Sequence, residues 1–434
     1  MMDKKFHIEI LGCPKAVYDS EIITGKLINS GFEIVSESDK RDWTIIFTCG
    51  FLENSRDESN QKIEKYLNDK KSGKLIVLGC YTQLFQKQLK NRFPEVYAFS
   101  GVNDYNKIID IVKNGKTIIS ESREEQEGAS SKTILTGRFW DYIKISEGCS
   151  HSCSFCIIPK IRGKYISKKS KFIRQELEIL DEFGIKEVVL ISQDTSFYGL
   201  DQGKQKLINL LDIIEKDYGF HWIRVMYLNP MHLTDEIIKR LGKGKVLPYF
   251  DIPFQHSSEK ILKLMKRGGS GEDFLKIIDK IRKYHPESFI RSTLITGFPG
   301  EDEKDFNNLI NFVKSAEIDH LGVFSYSDEE FADSYKLNDK VDGKTAEERK
   351  QMIYEVQNGI FNKKLKKLIG KKFQMINEYQ TDSNKILGRL WFQAPEGIDG
   401  SSILISKKPI RTQKPMFDTI ITGFDFDTMS YTVK

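Results

Sequence analysis

The feature that most restricts how this chain can fold is a set of three cysteines on one eight-residue stretch. Cys149, Cys153 and Cys156 lie within EGCSHSCSFC (Glu147–Cys156) in a CxxxCxxC pattern. The run ahead of them, YIKIS (Tyr142–Ser146), alternates large apolar and polar residues, as a strand does. The cysteines are therefore expected on a loop leaving a strand end. A cubic iron–sulfur cluster normally takes four thiolates. Three ligands leave one iron open to bind and activate a small molecule, much as a catalytic zinc site differs from a closed structural one. The competing readings are a zinc loop using Cys153 and Cys156, or buried free thiols.

The other three cysteines are Cys13, Cys49 and Cys80. Each follows a short apolar run: FHIEIL (Phe6–Leu11), WTIIFT (Trp43–Thr48) and KLIVLG (Lys74–Gly79). These runs have the length and composition of buried strands, and helical patterns separate them. A β-α-β-α-β order predicts an open parallel sheet, whose ligands bind beyond the carboxyl ends of the strands. Neighbouring parallel strands are about 5 Å apart, so cysteines some thirty residues apart in sequence are expected to converge. Such a gathering suits a soft metal or an iron–sulfur cluster. The alternative is three small apolar side chains in a core.

From Tyr142 to about Leu337 the chain alternates strand and helix six times. The expected strands are YIKIS, Glu187–Ser192, Trp222–Leu228, Pro248–Pro253, Phe289–Ile295 and His320–Tyr326. Six parallel βα units predict an incomplete barrel with its site at the carboxyl ends of the strands. Polar loops follow three of them: Ser192–Gly199, Asp251–Ser258 and Thr296–Glu301. His256 reads as a structural hydrogen-bonding residue. Lys344–Leu368 reads as a charged helix. Beyond Gly370, short strand-like runs with Gly and Pro turns predict a small closed antiparallel β-barrel. The expected domains are therefore 1–120, a polar linker over 121–134, 135–368 including the trailing helix, and 369–434.

With 434 residues, 39% of them hydrophobic, the chain can build several cores. Six cysteines are too few for a disulfide scaffold in a chain this long. The formal charge of +5 gives no global nucleic-acid signature. The last 64 residues hold nine Lys or Arg against seven Asp or Glu, only mildly basic for a reader of RNA. Local basic charge is concentrated in Lys160, Arg162, Lys164, Lys168, Lys169, Lys171 and Arg174. That stretch is open to two readings, an RNA-facing surface or a solvated helix entry. No run approaches the ~20 apolar residues of a membrane span, and the amino terminus carries no signal-peptide run. The reading is a cytoplasmic protein without a membrane partner.

The extension EGCSHSCSFCIIPKIRG resembles the radical S-adenosylmethionine (SAM) enzymes, and within them the methylthiotransferases. LGCPKAVYDSE, TCGF and LGCY resemble the amino-terminal domain of the same family. The resemblance implies two 4Fe-4S clusters, one on Cys149, Cys153 and Cys156 and an auxiliary one on Cys13, Cys49 and Cys80. It implies SAM at the open iron, a one-electron donor, and a sulfide or persulfide sulfur source. SAM cleavage would generate a radical that takes a hydrogen atom from an unactivated carbon, chemistry that no side chain supplies alone. The carboxyl-terminal barrel resembles the TRAM domain, an OB-like barrel for substrate recognition. Two sequence departures from the family are Ala16, where it has Asn, and Phe331, where it has Gly; the latter is expected to reshape a loop near the substrate.

Two substrates divide this family: an aspartate of a small-subunit ribosomal protein (number twelve), and an adenosine of tRNA. GCPKxxxDSE at Gly12, QDTSFYG at Gln193, GVFSYSDEE at Gly322 and APEGIDG at Ala394 resemble the ribosomal-protein branch. The expected partners are that protein or the assembling small subunit, and an electron donor, with direct RNA contact left open. The alternatives are tRNA adenosine methylthiotransfer and, from another class, a non-catalytic iron–sulfur or zinc RNA-binding protein.

Overall fold

The computed structural model describes residues 4–121, 131–406, 409–410 and 414–434. The first unit is a five-stranded parallel sheet in the order β2-β1-β3-β4-β5. Its strands are β1 (Lys5–Ile10), β2 (Glu33–Ile34), β3 (Trp43–Thr48), β4 (Lys74–Gly79) and β5 (Ala98–Ser100). Helices α1 (Pro14–Asn29), α2 (Glu53–Asn68), α3 (Cys80–Arg92) and α4 (Ile108–Asn114) cover it. Ile45, Phe47, Ile76 and Leu78 enter one buried cluster; Ile46, Leu75 and Val77 enter the other. A sheet buried on both faces explains why these strands read as continuous apolar runs. The three central strands are the three expected. The two edge strands, of two and three residues, are too short to leave a periodic signal.

The second unit carries β6 (Trp140–Lys144), a short antiparallel pair β7 (Ser146–Glu147) and β8 (Ile166–Ser167), then β9 (Glu187–Ile191), β10 (Trp222–Val225), β11 (Tyr249–Asp251), β12 (Phe289–Thr296) and β13 (His320–Ser325). Strands β6, β9 and β10 form one parallel group and β11, β12 and β13 another. Backbone bonds from Ile223 N to Lys245 O, Leu247 N to Ile223 O and Leu228 N to Asp251 O join the groups. The result is a six-stranded incomplete barrel. Intervening helices are α5 (Ile158–Arg162), α6 (Ser170–Glu182), α7 (Leu207–Asp217), α8 (Asp235–Arg240), α9 (Glu259–Leu264), α10 (Gly271–Tyr284) and α11 (Glu303–Ala316). Alternate strand residues divide between two cores, as a period of two requires. Ile143, Val188 and Leu190 pack outward under the helices. Tyr142, Val189 and Ile191 point inward, into a cluster shared with Tyr18 of α1 and with Ile376 and Ala394. The inner wall is thus closed by the two flanking units.

After α12 (Gly343–Leu368), strands β14 (Lys372–Asp382), β15 (Lys385–Leu390), β16 (Ser401–Ile405), β17 (Met416–Asp425) and β18 (Ser430–Val433) close into a barrel in the order β14-β15-β16-β18-β17. One of its pairings, β16 with β18, is parallel, a departure from the wholly antiparallel barrel expected. The APEGIDG turn of this barrel enters the larger one. Asp399 accepts from Arg291 (3.1 Å) and from the Tyr249 hydroxyl, and Glu396 accepts from the Tyr142 hydroxyl at 2.7 Å. Arg389 donates to Glu187 at 2.6 Å, with both side chains fully buried. Among the described residues no helix is long and apolar enough to cross a membrane.

Most of the linker expected over 121–134 falls at residues 122–130, outside the described residues. Its far end is not a free tether. Lys132 is buried and paired with Glu21 of α1 (3.1 Å) and Asp141 of β6 (2.7 Å). A charged residue in a polar stretch reads as solvated until a buried pair of carboxylates is found opposite it.

Candidate functional site

The first cysteine triplet is built by sheet order. Strands β1, β3 and β4 are immediate neighbours. Cys13 caps the amino end of α1, Cys49 follows β3 directly, and Cys80 opens α3 directly after β4. The turn into Cys80 depends on Gly79, at φ +115°; a Cβ there would lie 2.5 Å from the Thr48 carbonyl oxygen. Burial pushes the Cys80 thiol up to about 12, with the Arg162 guanidinium pulling it back. Burial raises Cys49 as well, and the charge of Cys13 adds to the rise at both.

The second triplet is local. Strand β6 runs through β7 to Gly148, at φ +72°, where a Cβ would meet the Lys164 carbonyl at 2.2 Å. The loop is pinned at Cys149 N to Gly163 O (3.0 Å), Cys156 N to Cys153 O (3.1 Å) and Ser154 Oγ to Leu264 O (2.7 Å). Burial pushes Cys149 up to about 11 and Cys156 up to about 12, and each is raised further by Cys153. Arg267 brings Nη1 to 3.6 Å from the Cys153 sulfur and donates through Nη2 to the Pro253 carbonyl. In each triplet two thiols, Cys49 and Cys80 in the first and Cys149 and Cys156 in the second, sit where burial and a neighbouring cysteine's charge resist ionisation. Only a cation offsets that cost, and a set of sulfur donors alone selects a soft one. Both triplets fit an iron–sulfur cluster by this test.

The two units dock along the segment that follows the second triplet, against the core that Cys80 also packs on. Ile157 and Ile161, beyond the second triplet, are fully buried in the core of the first unit. Burying each is worth about 1.5–3 kcal/mol. Arg162, on the same turn, donates to Asp19 of α1 (3.1 Å) and to Glu147 (2.9 Å), and its charge also acts on Cys80. Lys144 bridges the same two carboxylates. One residue back along α1, Tyr18 donates to Glu176 at 2.8 Å, and Lys168 donates to Tyr18 at 2.6 Å. The YDSE segment is therefore a docking face. Buried ion pairs add little net stability because desolvation offsets attraction, but they fix one docked geometry.

Two of the seven basic residues that suggested an RNA-facing or solvated surface, Arg162 and Lys168, belong to this interior. Lys164, Lys169 and Lys171 remain exposed. Phe331 lies in a segment that clamps onto the first unit. Its ring meets Phe85 of α3 edge-on at 5.1 Å, while neighbouring Glu329 pairs with Arg56 of α2 at 2.6 Å.

Lys15 stands two residues from Cys13 and is only 7% exposed. Its ammonium lies 3.0 Å from the ring centroid of Tyr227, at the end of β10. Burial pulls that ammonium down to about 8, against the opposing pull of Cys13 and Asp251. Tyr227 holds a left-handed backbone (φ 62°), a costly conformation for a bulky residue, and its N–H donates to Asp251 at 3.0 Å. Asp251 in turn accepts from Arg291 at 2.9 Å.

Loop Ser192–Gly199 supplies Asp194. Its Oδ2 lies 2.7 Å from His151 Nε2 and 2.8 Å from His232 Nδ1, and the two imidazoles stack. Burial would raise this carboxyl, but hydrogen bonds from His151, His232 and Ser196 hold it well below the usual carboxylate range. These groups edge an open pocket of about 210 Å³ whose wall includes Cys153 and Arg267. Sequence reasoning gave these histidines no role; their only signal is His151 lying inside the cysteine loop. His256 is buried, 3.1 Å from Glu301, and accepts from Ser258 N, in keeping with a structural histidine. Of the clamp residues, Asp19, Lys144 and Glu147 also escaped notice, although each lies inside a quoted stretch; Arg162 was seen only as part of the basic stretch.

A parallel-strand barrel with a three-cysteine loop at its mouth defines a radical SAM protein, and residues 143–313 match the Radical SAM superfamily. Residues 5–101 match the uncharacterized protein family UPF0004. Among curated proteins, the chain is 40% identical to the ribosomal protein uS12 methylthiotransferase RimO of Thermotoga maritima, over 91% of this chain and 92% of that one. RimO of Aquifex aeolicus is 38% identical over 98% and 96%. The chain belongs to the RimO family of radical SAM methylthiotransferases. Among solved structures, the radical SAM methyltransferase TsrM from Kitasatospora setae aligns with TM-score 0.52 at 12% identity, over 75% of this chain and 72% of that one. The cobalamin-dependent radical enzyme OxsB aligns at 0.50 and 11%, over 83% and 56%. At such identities these likenesses show the fold alone.

Proposed function

We propose that this protein exchanges a hydrogen on the β-carbon of an aspartate in ribosomal protein uS12 for a methylthio group. The observation that carries the reading is identity near 40% with RimO proteins along nine-tenths of the chain. The placing of Cys13, Cys49 and Cys80 at the ends of three neighbouring strands, and of Cys149, Cys153 and Cys156 on one loop whose continuation docks on that unit, supports it. On this reading the chain works as three domains, residues 1–120, 135–368 and 369–434.

Cys149, Cys153 and Cys156 would hold a 4Fe-4S cluster with one iron free for SAM, and Cys13, Cys49 and Cys80 an auxiliary cluster. When bound, these groups supply one-electron cleavage of SAM and delivery of sulfur from sulfide or persulfide, and a one-electron donor is required. The protein's own part is electrostatic and steric. Arg162 offsets negative charge beside Cys80. Arg267 does the same beside Cys153. The docked apolar faces keep water from a reactive centre.

Mass spectrometry of uS12 from cells with and without the gene tests the reading. The methylthio increment is expected to vanish from uS12 without the gene. Its persistence, with loss of a methylthio group from tRNA instead, would establish the tRNA reading.

A further inference from the structure

We propose that Lys15 is the anchor for the substrate carboxylate, and so a specificity-determining residue for the reaction. The proposal rests on the uS12 aspartate reading and deepens it. Lys15 is more than nine-tenths buried, yet among the described residues its ammonium makes no hydrogen bond and no ion pair. An ammonium carries three donors and no acceptor, and burying it without an acceptor is costly. The carboxylates whose charge acts on it are already engaged, Asp251 by Arg291 and the Tyr227 N–H, and Glu147 by Lys144 and Arg162. The side chain is nonetheless held in place, on the face of the Tyr227 ring. A fixed, buried cation with unused donors fits an incoming carboxylate.

The position suits the chemistry. An aspartate carboxyl carbon is bonded directly to the β-carbon. A charge-assisted hydrogen bond of about 2.8 Å to Lys15 would therefore hold the β-carbon roughly 4 Å from Nζ. Lys15 is two residues from Cys13, the most exposed cysteine of the proposed sulfur-delivering triplet. Anchoring the carboxylate there sets the reacting carbon near Cys13 and beside Tyr227, just past the carboxyl end of β10. Asparagine matches aspartate in shape but offers no negative charge, so the anchor discriminates by charge.

The test uses full-length, anaerobically reconstituted enzyme and two probes: purified uS12, and uS12 with the modified aspartate changed to Asn. Fluorescence anisotropy reads binding, and iron content is measured on every sample. Wild-type enzyme is expected to prefer the Asp form by about ten- to a hundredfold. Lys15→Met should bring the two forms within about threefold, and Lys15→Arg should restore part of the preference. A merely structural role would weaken both probes alike and leave their ratio unchanged. That result, with wild-type iron content, overturns the proposal. So does wild-type enzyme that binds both forms equally, whatever the variants do. If wild-type enzyme binds neither form, the uS12 reading itself fails and the anchor falls with it.

Discussion

The two cysteine triplets reach similar chemistry by opposite routes. Cys149, Cys153 and Cys156 come from one loop, pinned by its own backbone and by contacts to Leu264 and Met265. Cys13, Cys49 and Cys80 come from three strand ends, and only the register of β1, β3 and β4 makes them neighbours. The first arrangement is local and tolerates changes elsewhere in the molecule. The second is only as sound as the sheet beneath it and the clamp that closes the barrel over it.

The largest expected effect separates the triplets by function. Cys153→Ala is expected to abolish SAM cleavage altogether. Cys49→Ala is expected to leave cleavage and abolish methylthio insertion. Deoxyadenosine and product assays on both variants decide this, and equal loss of cleavage in the two would break the division.

Next comes the clamp. Asp19→Ala leaves Lys144 and Arg162 to share Glu147 in a buried site, and is expected to cost about 3–5 kcal/mol. Urea denaturation measures the loss. Iron bound by the Cys13 triplet should fall more than iron bound by the loop.

The buried thiols predict a smaller effect of pH on cluster-free protein. In the folded chain the Cys80 and Cys156 thiols titrate near 12 in place of the usual 9. Between those values the folded state binds more protons than the unfolded one, so stability falls as pH rises. A loss of roughly 2 kcal/mol per thiol is expected by pH 10.5. Thermal melts of iron-free protein from pH 8 to 10.5 check the sign. Reconstituted protein, its thiolates held by metal, should lack this slope.

The smallest effect sharpens the docking surface. Phe331→Gly, which installs the family's usual residue, removes the edge contact with Phe85. A loss of about 1–2 kcal/mol is expected in urea titration. The Cys149 loop is pinned by its own backbone and by Leu264 and Met265, and should keep its iron.

Much of this arrangement was legible in the chain. Short apolar runs ending in cysteine predicted the three central strands and the edge where their thiols meet. The six-fold alternation predicted the incomplete barrel. Two members of the basic stretch, Arg162 and Lys168, were misread because charge in a sequence carries no information about burial. Arg162 and Lys168 look like solvated lysines and arginines until Asp19, Glu147 and Glu176 are placed opposite them. Asp194 sat in a recognised loop, but its two histidines lie 43 and 38 residues away along the chain. Lys15 is part of a quoted motif, yet nothing in the motif says that its ammonium is buried without an acceptor.

Periodicity and ligand spacing are local properties, and by themselves they determined the element types, the two sets of thiols and the kind of metal these suit. Which faces meet is a long-range property. The closing of the barrel by α1 and the APEGIDG turn, the burial of the Asp19 clamp, and the isolation of Lys15 from any acceptor were decided only by tertiary structure. The physical reason is that a charge's energy depends on the solvent and partners around it, and those are supplied by residues a hundred or more positions away.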